Sequence, residues 1–143
     1  MIKAILDTNI LASGFVSFNH PNRAPAQILH AWRDGLFELI VSEHILNELE
    51  KTFQDPYFQS RLSPEDINEA MILLRDEATV APITVEVHEV ATHPEDDLVL
   101  SATLSAKVDY LVTGDGPMLR KVGSSYQGVK LVTPNNFLEI LNQ

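Results

Sequence analysis

Two short apolar segments of the sequence end at acidic residues. Ala4-Ile5-Leu6 is followed by Asp7, and Tyr110-Leu111-Val112-Thr113-Gly114 is followed by Asp115. The apolar residues of the first segment do not alternate with polar ones, which is typical of a strand covered on both faces in a parallel sheet, and the second segment has the same character. Ligand sites in such sheets lie at the carboxyl ends of the strands. If the two strands are parallel neighbours, both carboxylates emerge at one edge of the sheet.

Two further acids are placed to reach the same edge. Asp97, with Asp96 before it, opens the small-residue segment 98–106, which predicts a buried helix. In alternating folds each helix follows a strand, so its first turn lies at the carboxyl edge of the sheet. Glu48 lies inside a helix that Ser42 is expected to cap. The four acids Asp7, Glu48, Asp97 and Asp115 are therefore candidates for one site.

Acids that converge need cations or protons to offset their repulsion. Two bare carboxylates about 4 Å apart repel by roughly 4 kcal/mol at an effective dielectric constant near 20. The five histidines show no ligand spacing and are interpreted as surface or packing residues: His20, His30, His44, His88 and His93. Oxygen ligands alone suit Mg²⁺ or Mn²⁺ rather than zinc. Such ions can activate a water and stabilise the leaving oxygen of a phosphodiester.

The elements that must position these acids alternate along the chain. About five strands are predicted, at 2–6, 37–41, 79–87, 110–113 and 130–132, with helices between them. The third contains Pro82, which predicts an edge strand. This alternation predicts a three-layer α/β/α domain with a largely parallel sheet. Two helices joined by a turn, one after Ser42 and one after Ser63-Pro64, predict a helical hairpin inserted between strands.

The segment after Asp7 is expected to form only a short helix near Ile10 and Leu11. Residues 13–23 are then predicted to be a long loop with two exposed phenylalanines, Phe15 and Phe18. Loops of this length are often functional or bind a partner. A helix is predicted over 24–34, followed by a stop at Gly35.

Composition limits the class of protein. The chain has 143 residues, 45% of them hydrophobic, and no cysteine, which predicts one domain over 1–143 without disulfides or thiol chemistry. No targeting segment is apparent and no segment approaches the roughly 20 apolar residues of a membrane helix, so we expect a soluble cytoplasmic protein. Ten basic against twenty acidic residues give a charge of -10, the opposite of the usual nucleic-acid binder. Bound divalent ions reduce that objection locally.

The ordered set of motifs resembles the PIN-domain nucleases, most closely the toxin-like branch of prokaryotic toxin-antitoxin pairs. The resemblance spans nearly the whole chain and rests on four segments, at 7–11 (Asp-Thr-Asn-Ile-Leu), 42–49, 97–104 and 110–115. Each segment is a weak signal when taken alone. Their order along the chain makes the resemblance specific.

The resemblance implies a catalytic metal site formed by Asp7, Glu48, Asp97 and Asp115. It implies that the hydroxyl of Thr113 helps to hold a site water and that Asn9 steadies the first turn. Asp96 is the alternative to Asp97, which is preferred because of its spacing to Ala102-Thr103.

The resemblance also implies an endoribonuclease that uses Mg²⁺ or Mn²⁺ to cut single-stranded RNA. A small antitoxin protein as partner and a homodimer or higher homo-oligomer are implied as well. The acidic balance departs from what an RNA-binding protein would have. Three basic residues are the expected phosphate contacts, namely Arg23, Arg120 and Lys121.

Other interpretations use the same residues. Asp7 could be the nucleophile of a phosphoryl-transfer domain, but that chemistry usually needs a second acid two residues later, where the chain has Asn9. A catalytically silent binding module would use the 15–18 loop and the acidic surface. The acids also have ordinary roles open to them: Asp7 as a helix cap, Asp97 beside a helix dipole, Asp115 in a turn and Glu48 on a solvated helix face.

Overall fold

The computed structural model describes residues 1–82, 88, 90 and 94–143, and of residues 94–96 it describes only the backbone. In this part of the chain the sheet has six strands. The strands are β1 (Lys3–Leu6), β2 (Glu38–Val41), β3 (Thr79–Val80), β4 (Tyr110–Val112), β5 (Ser125–Tyr126) and β6 (Val129–Val132). Their order across the sheet is β3-β2-β1-β4-β6-β5. Every neighbouring pair is parallel except β5 with β6. Strand β1 therefore lies in the middle of a largely parallel sheet.

Helices connect the strands and cover the sheet in a three-layer α/β/α arrangement. They are α1 (Thr8–Val16), α2 (Ala24–Arg33), α3 (Glu43–Thr52), α4 (Pro56–Gln59), α5 (Pro64–Glu77), α6 (Pro94–Ala106), α7 (Gly116–Val122) and α8 (Pro134–Leu141). The predicted fold class is confirmed, and the inserted hairpin corresponds to α3 and α5, joined through α4 between β2 and β3. Within the described residues, no helix is long and apolar enough to cross a membrane.

Strands β1 and β4 are buried and pair in parallel, as the site requires. Ala4, Ile5 and Leu6 are at most 1% exposed, in agreement with the prediction of a strand covered on both faces. The register aligns Leu6 with Val112. The chain therefore leaves both strands at the same edge of the sheet.

The outer strands differ in part from the prediction. β3 is the edge strand that was expected, and the predicted continuation over 83–87 lies outside the described residues. The sequence predicted about five strands, and β5 is the additional short strand. This strand turns back onto β6 through Gln127 and Gly128, whose φ angles of 48° and 90° are left-handed. Two residues are too few to produce a recognisable alternation in the sequence.

Helix α1 is longer than predicted. It continues to Val16 instead of ending near Leu11, so the predicted loop begins only after it. Gly14, which was interpreted as a loop residue, packs inside the fold: a Cβ added there would lie 2.6 Å from Cδ1 of Leu29. This glycine permits the close approach of α1 and α2.

The two phenylalanines of the predicted loop are not exposed. Phe15 is 8% exposed and its ring lies 5.8 Å from that of Phe18, which is partly buried. Phe18 stacks on His30 at 4.5 Å, and its carbonyl oxygen lies 2.6 Å from Nε2 of that histidine. The expectation of a loop that presents two free aromatic rings was therefore wrong.

Candidate active site

Asp7 occupies the turn between β1 and α1. Its backbone N–H donates to the carbonyl of Val112 at 3.0 Å, which ties the end of β1 to β4. Its Oδ1 accepts from the Ile10 amide at 3.0 Å and thereby caps α1. Asp7 therefore does act as a helix cap, and this role uses only one of its two carboxylate oxygens.

Thr113 links Asp7 to Asp115. Its hydroxyl donates to Oδ2 of Asp7 at 2.5 Å and accepts from the Asp115 amide at 3.0 Å. Thr113 is fully buried, so its hydroxyl is shielded from solvent. Asp115 in turn caps α7, because its Oδ1 accepts from the Met118 amide at 3.2 Å. The two strand-end acids are therefore held in one hydrogen-bonded network across β1 and β4.

Glu48 is brought to the same region by α3. Oγ of Ser42 accepts from the Ile45 amide at 3.1 Å, so the helix begins where the sequence predicted. Ile45 and Leu49 are fully buried, which fixes the rotation of the helix about its axis. Glu48 keeps 29% of its side chain exposed, and its Oε1 lies 3.6 Å from Nζ of Lys51.

Asp7, Glu48 and Asp115 line one cavity of about 250 Å³. The cavity lies at the carboxyl edge of β1 and β4, as expected for a site in a parallel sheet. Its lining is Asp7, Thr8, Asn9, His44, Glu48, Thr52, Val99 and Asp115. Residues from four separate parts of the chain thus meet there, and Asn9, the predicted supporting residue, is among them.

The electrostatic setting of Asp7 differs from that of a surface acid. Burial raises the pKa of Asp7, and the nearby charge of Asp115 raises it further. Hydrogen bonds from Thr113, Ile10 and Asn9 oppose this rise but do not cancel it. A second negative charge beside a desolvated carboxylate is the arrangement that a bound cation would relieve.

The sequence pattern of the PIN domain family matches residues 3–116, a span that contains all four predicted acids. The match covers well over half of the 143 residues. The chain belongs to the PIN domain family. The family resemblance drawn from the four segments is therefore confirmed. A comparison of this sequence with curated proteins gives no match.

Two solved structures have a similar fold. A chain from the crystal structure of VapBC2 from Rickettsia felis, bound to a DNA fragment from their promoter, gives a TM-score of 0.61 at 15% identity, covering 92% of this chain and 98% of that one. The crystal structure of PAE2754 from Pyrobaculum aerophilum gives a TM-score of 0.54 at 12% identity, covering 99% and 90%. At these identities the likeness concerns the fold of the PIN domain.

The carboxylates of Asp7, Glu48 and Asp115 are of the chemical type that binds divalent metal ions, but each of them already has another partner in this structure. Among the described residues, no three His, Asp or Glu side chains are grouped closely enough to hold an ion together. Asp7 and Asp115 cap helices, and Glu48 lies beside Lys51. Carboxylate oxygens around one cavity are nevertheless the donor set that Mg²⁺ and Mn²⁺ prefer. Binding would require side-chain rotations, most easily of the partly exposed Glu48.

Asp97 does not line the cavity in the described part of the chain. It lies in the first turn of α6 and is 8% exposed, and its Oδ1 accepts from the Val90 amide at 3.1 Å. Val99, two residues later, does reach the cavity. The side chain of the alternative residue Asp96 lies outside the described residues. The structure thus brings together three of the four acids that the sequence singled out.

The basic residues expected to contact phosphate are all exposed, but they differ in position. Arg120 folds back along α7, since a Cβ added at Gly116 would lie 3.0 Å from its Nη1. Its guanidinium is therefore next to the residue that follows Asp115. Lys121 is in the last turn of α7, and Arg23 precedes α2. None of these three basic residues is among the described residues that line the cavity.

His44 is a cavity residue that the sequence analysis assigned to surface or packing. It precedes Glu48 by four residues on α3, and residues at this spacing share a helix face. That spacing was visible in the sequence.

Proposed function

We propose that this PIN domain protein, folded as one domain over residues 1–143, is a Mg²⁺- or Mn²⁺-dependent endoribonuclease. The observation that carries the proposal is the cavity at the sheet edge, where Asp7, Glu48 and Asp115 meet from three elements. Membership of the PIN domain family supports a nuclease. The finer assignment to RNA rests on the resemblance of the four sequence segments to the toxin-like branch.

In this proposal each acid contributes a carboxylate to the metal site. Asp7, Glu48 and Asp115 are the proposed ligands, and Asp97 is kept as the fourth, since the family resemblance implies it. A bound divalent ion would supply charge neutralisation at the scissile phosphate and activation of the attacking water. Thr113 positions Asp7 by donating to its Oδ2, so that the carboxylate stays oriented toward the cavity.

Arg120 is the proposed contact to the phosphate backbone of RNA. Its guanidinium lies over Gly116, beside the acid that caps α7. A guanidinium can donate two parallel hydrogen bonds to a phosphate. The acidic chain would thereby gain a local positive group at the edge of its acidic cavity. Arg23 and Lys121 remain weaker proposals, because Arg23 precedes α2 and Lys121 lies in the last turn of α7, whereas the guanidinium of Arg120 reaches Gly116.

We further propose that the protein is the toxin of a toxin-antitoxin pair, acts in the cytoplasm as a homodimer or higher oligomer, and binds a small antitoxin. The similarity in fold to a chain of VapBC2 supports this. A second cavity of about 210 Å³, whose polar lining includes Asn19, Arg61, Asp66 and Glu69, is the proposed contact for a protein partner. Its apolar lining includes Phe15, Val16, Phe18, Leu62, Ala70 and Leu73.

The proposal is tested by cleavage of a single-stranded RNA with the full-length chain after removal of metal by a chelator. Cleavage should be absent without metal and return when Mg²⁺ or Mn²⁺ is added. Asp7→Asn removes one ligand charge, worth about 4 kcal/mol at 4 Å and an effective dielectric constant near 20, so we expect a loss of at least about 100-fold.

Two results would contradict the enzyme proposal. Cleavage that persists in chelator, or full activity of Asp7→Asn, would show that this site does not perform the reaction. A protein that binds neither metal nor RNA but captures a protein partner tightly would instead support the silent binding module.

A further inference from the structure

One face of α3 is directed at the candidate active site. His44, Glu48 and Thr52 follow one another at intervals of four residues, and all three line the cavity. Residues at this spacing lie one above the other on a helix. His44 is thus held on the same surface as the proposed ligand Glu48, by a helix that is anchored in the core through Ile45 and Leu49.

The ring of His44 has a polar atom without a partner. Its Nε2 is buried, and within the described residues it is the one buried side-chain nitrogen or oxygen that has no hydrogen bond. Burying an unpaired polar atom is unfavourable, and nearly all such atoms in proteins have a partner. An unpaired nitrogen beside a cavity lined with acids therefore points to a ligand.

His30 shows how a packing histidine behaves in the same molecule. Its Nε2 lies 2.6 Å from the Phe18 carbonyl oxygen, and its ring stacks on the ring of Phe18. Both its face and its nitrogen are accounted for by the protein. In the described part of the chain, Nε2 of His44 has no such partner. Packing therefore does not explain the buried position of this nitrogen.

We propose that His44 adds a nitrogen ligand to the metal site of Asp7, Glu48 and Asp115, and that the site consequently prefers Mn²⁺ to Mg²⁺. This inference rests on the proposed metal site and extends it. Mg²⁺ is bound almost entirely through oxygen, whereas imidazole nitrogen favours first-row transition ions. The oxygen-only site expected from the sequence would not discriminate in this way.

The experiment is Mn²⁺ binding to the full-length, metal-free protein, followed by electron paramagnetic resonance. We expect His44→Gln to weaken Mn²⁺ binding by at least about tenfold, comparable with the loss of a supporting group at a metal site. Mg²⁺ affinity, measured by competition, should change much less. His20→Gln is the matched control, because His20 is exposed and does not line the cavity.

A pulsed resonance experiment on the wild-type protein needs no variant and so does not depend on the folding of His44→Gln. Bound Mn²⁺ should show coupling to a directly bound imidazole nitrogen, and the coupling should change when histidine is labelled with the heavy nitrogen isotope. Absence of this coupling, or an unchanged Mn²⁺ affinity in His44→Gln, overturns the proposal.

Failure of this inference can be told apart from failure of the metal site itself. If Asp7→Asn abolishes Mn²⁺ binding but His44→Gln does not alter it, the acidic site stands and His44 is not a ligand. If the wild-type protein binds no Mn²⁺ at all, both proposals fall. If His44→Gln slows RNA cleavage without affecting the metal, His44 contacts the substrate and its assignment as a ligand is wrong.

Discussion

The acids at the strand ends have structural and proposed functional roles at once. Asp7 caps α1 through Oδ1, while Oδ2 meets Thr113 in the network that reaches Asp115. A carboxylate has two oxygens and several lone pairs, so a cap does not exhaust its capacity. The helix-capping role of Asp7 is therefore compatible with its proposed role as a metal ligand.

The stability of the metal-free protein should report the buried charge of Asp7. Because burial raises the pKa of Asp7 above its ordinary value of 3.8, the folded state binds the proton more tightly than the unfolded chain. The contribution of Asp7 to the free energy of unfolding is then complete below the pKa of Asp7 in the unfolded chain. It is lost as pH rises through the pKa of Asp7 in the folded protein. As pH rises from about 3 to about 7, the unfolding free energy of Asp7→Asn should increase relative to wild type.

Urea unfolding in chelator across that pH range provides the measurement. A relative change in the opposite direction would show that Asp7 is better stabilised as an anion in the folded state than in the unfolded chain. Added Mn²⁺ should raise the stability of wild type at neutral pH and should have little effect on Asp7→Asn, since ligands stabilise the state that binds them.

Thr113 supplies a second prediction at the level of single residues. Thr113→Val keeps the shape but removes the hydroxyl that serves Asp7 and Asp115, so we expect a loss of about 1–3 kcal/mol in the free energy of unfolding. Metal affinity should fall by about 10–100-fold, because the orientation of Asp7 is no longer fixed. Calorimetric metal titration checks this, with Thr113→Ser as the control that retains the hydroxyl. Equal affinities in the Val and Ser variants would contradict it.

At the scale of elements, what could be predicted were the features with strong local signals. The apolar run before Asp7 and the capping serines at 42 and 63 gave the central strand and the starts of α3 and α5, which the structure confirms. The meeting of Asp7 with Asp115 followed from parallel pairing of β1 and β4. These inferences needed only the order of elements along the chain.

Other features depended on contacts between elements and could not be deduced in the same way. Gly14 resembles a helix breaker until Leu29 is known to pack against it. Asp97 is the fourth residue of α6, so the direction of its side chain depends on where that helix begins. His44 acquires meaning only from the cavity that it shares with Glu48.

The contact between α1 and α2 yields a test on stability. Alanine favours an isolated helix over glycine by about 1 kcal/mol, yet Gly14→Ala should destabilise the protein by about 1–3 kcal/mol, because the added methyl meets Leu29 and the Pro25 carbonyl. Ser13→Ala is the matched control, since Ser13 is an exposed neighbour on the same helix and should be neutral or slightly stabilising. Thermal unfolding compares the two, and a stabilised Gly14→Ala would contradict the packing.

At the scale of the whole molecule, the net charge of -10 opposes binding of a polyanion. The proposal therefore requires local positive charge at the site, and Arg120, whose guanidinium lies over Gly116, is the group proposed to supply it to RNA. Arg120→Gln should weaken RNA binding and reduce the salt dependence by about 0.7 in the slope of log K against log salt, the value for one phosphate contact on a single strand.

Binding of RNA in chelator, measured across a salt series, tests the role of Arg120. Arg33→Gln is the control, because the guanidinium of Arg33 pairs with Glu77. The same slope in Arg120→Gln and wild type would show that the phosphate contact is made elsewhere.

The central claim is that Asp7, Glu48 and Asp115 act as one metal site that cuts RNA, and a comparison of two glutamates on one helix tests it most directly. Glu43 and Glu48 both lie on α3, but Glu43 pairs with Arg75 and does not line the cavity. With Mn²⁺ present, Glu48→Gln should reduce the rate of RNA cleavage at least about 100-fold, as expected for a lost ligand charge, whereas Glu43→Gln should retain the wild-type rate. Equal rates for the two variants would contradict the claim.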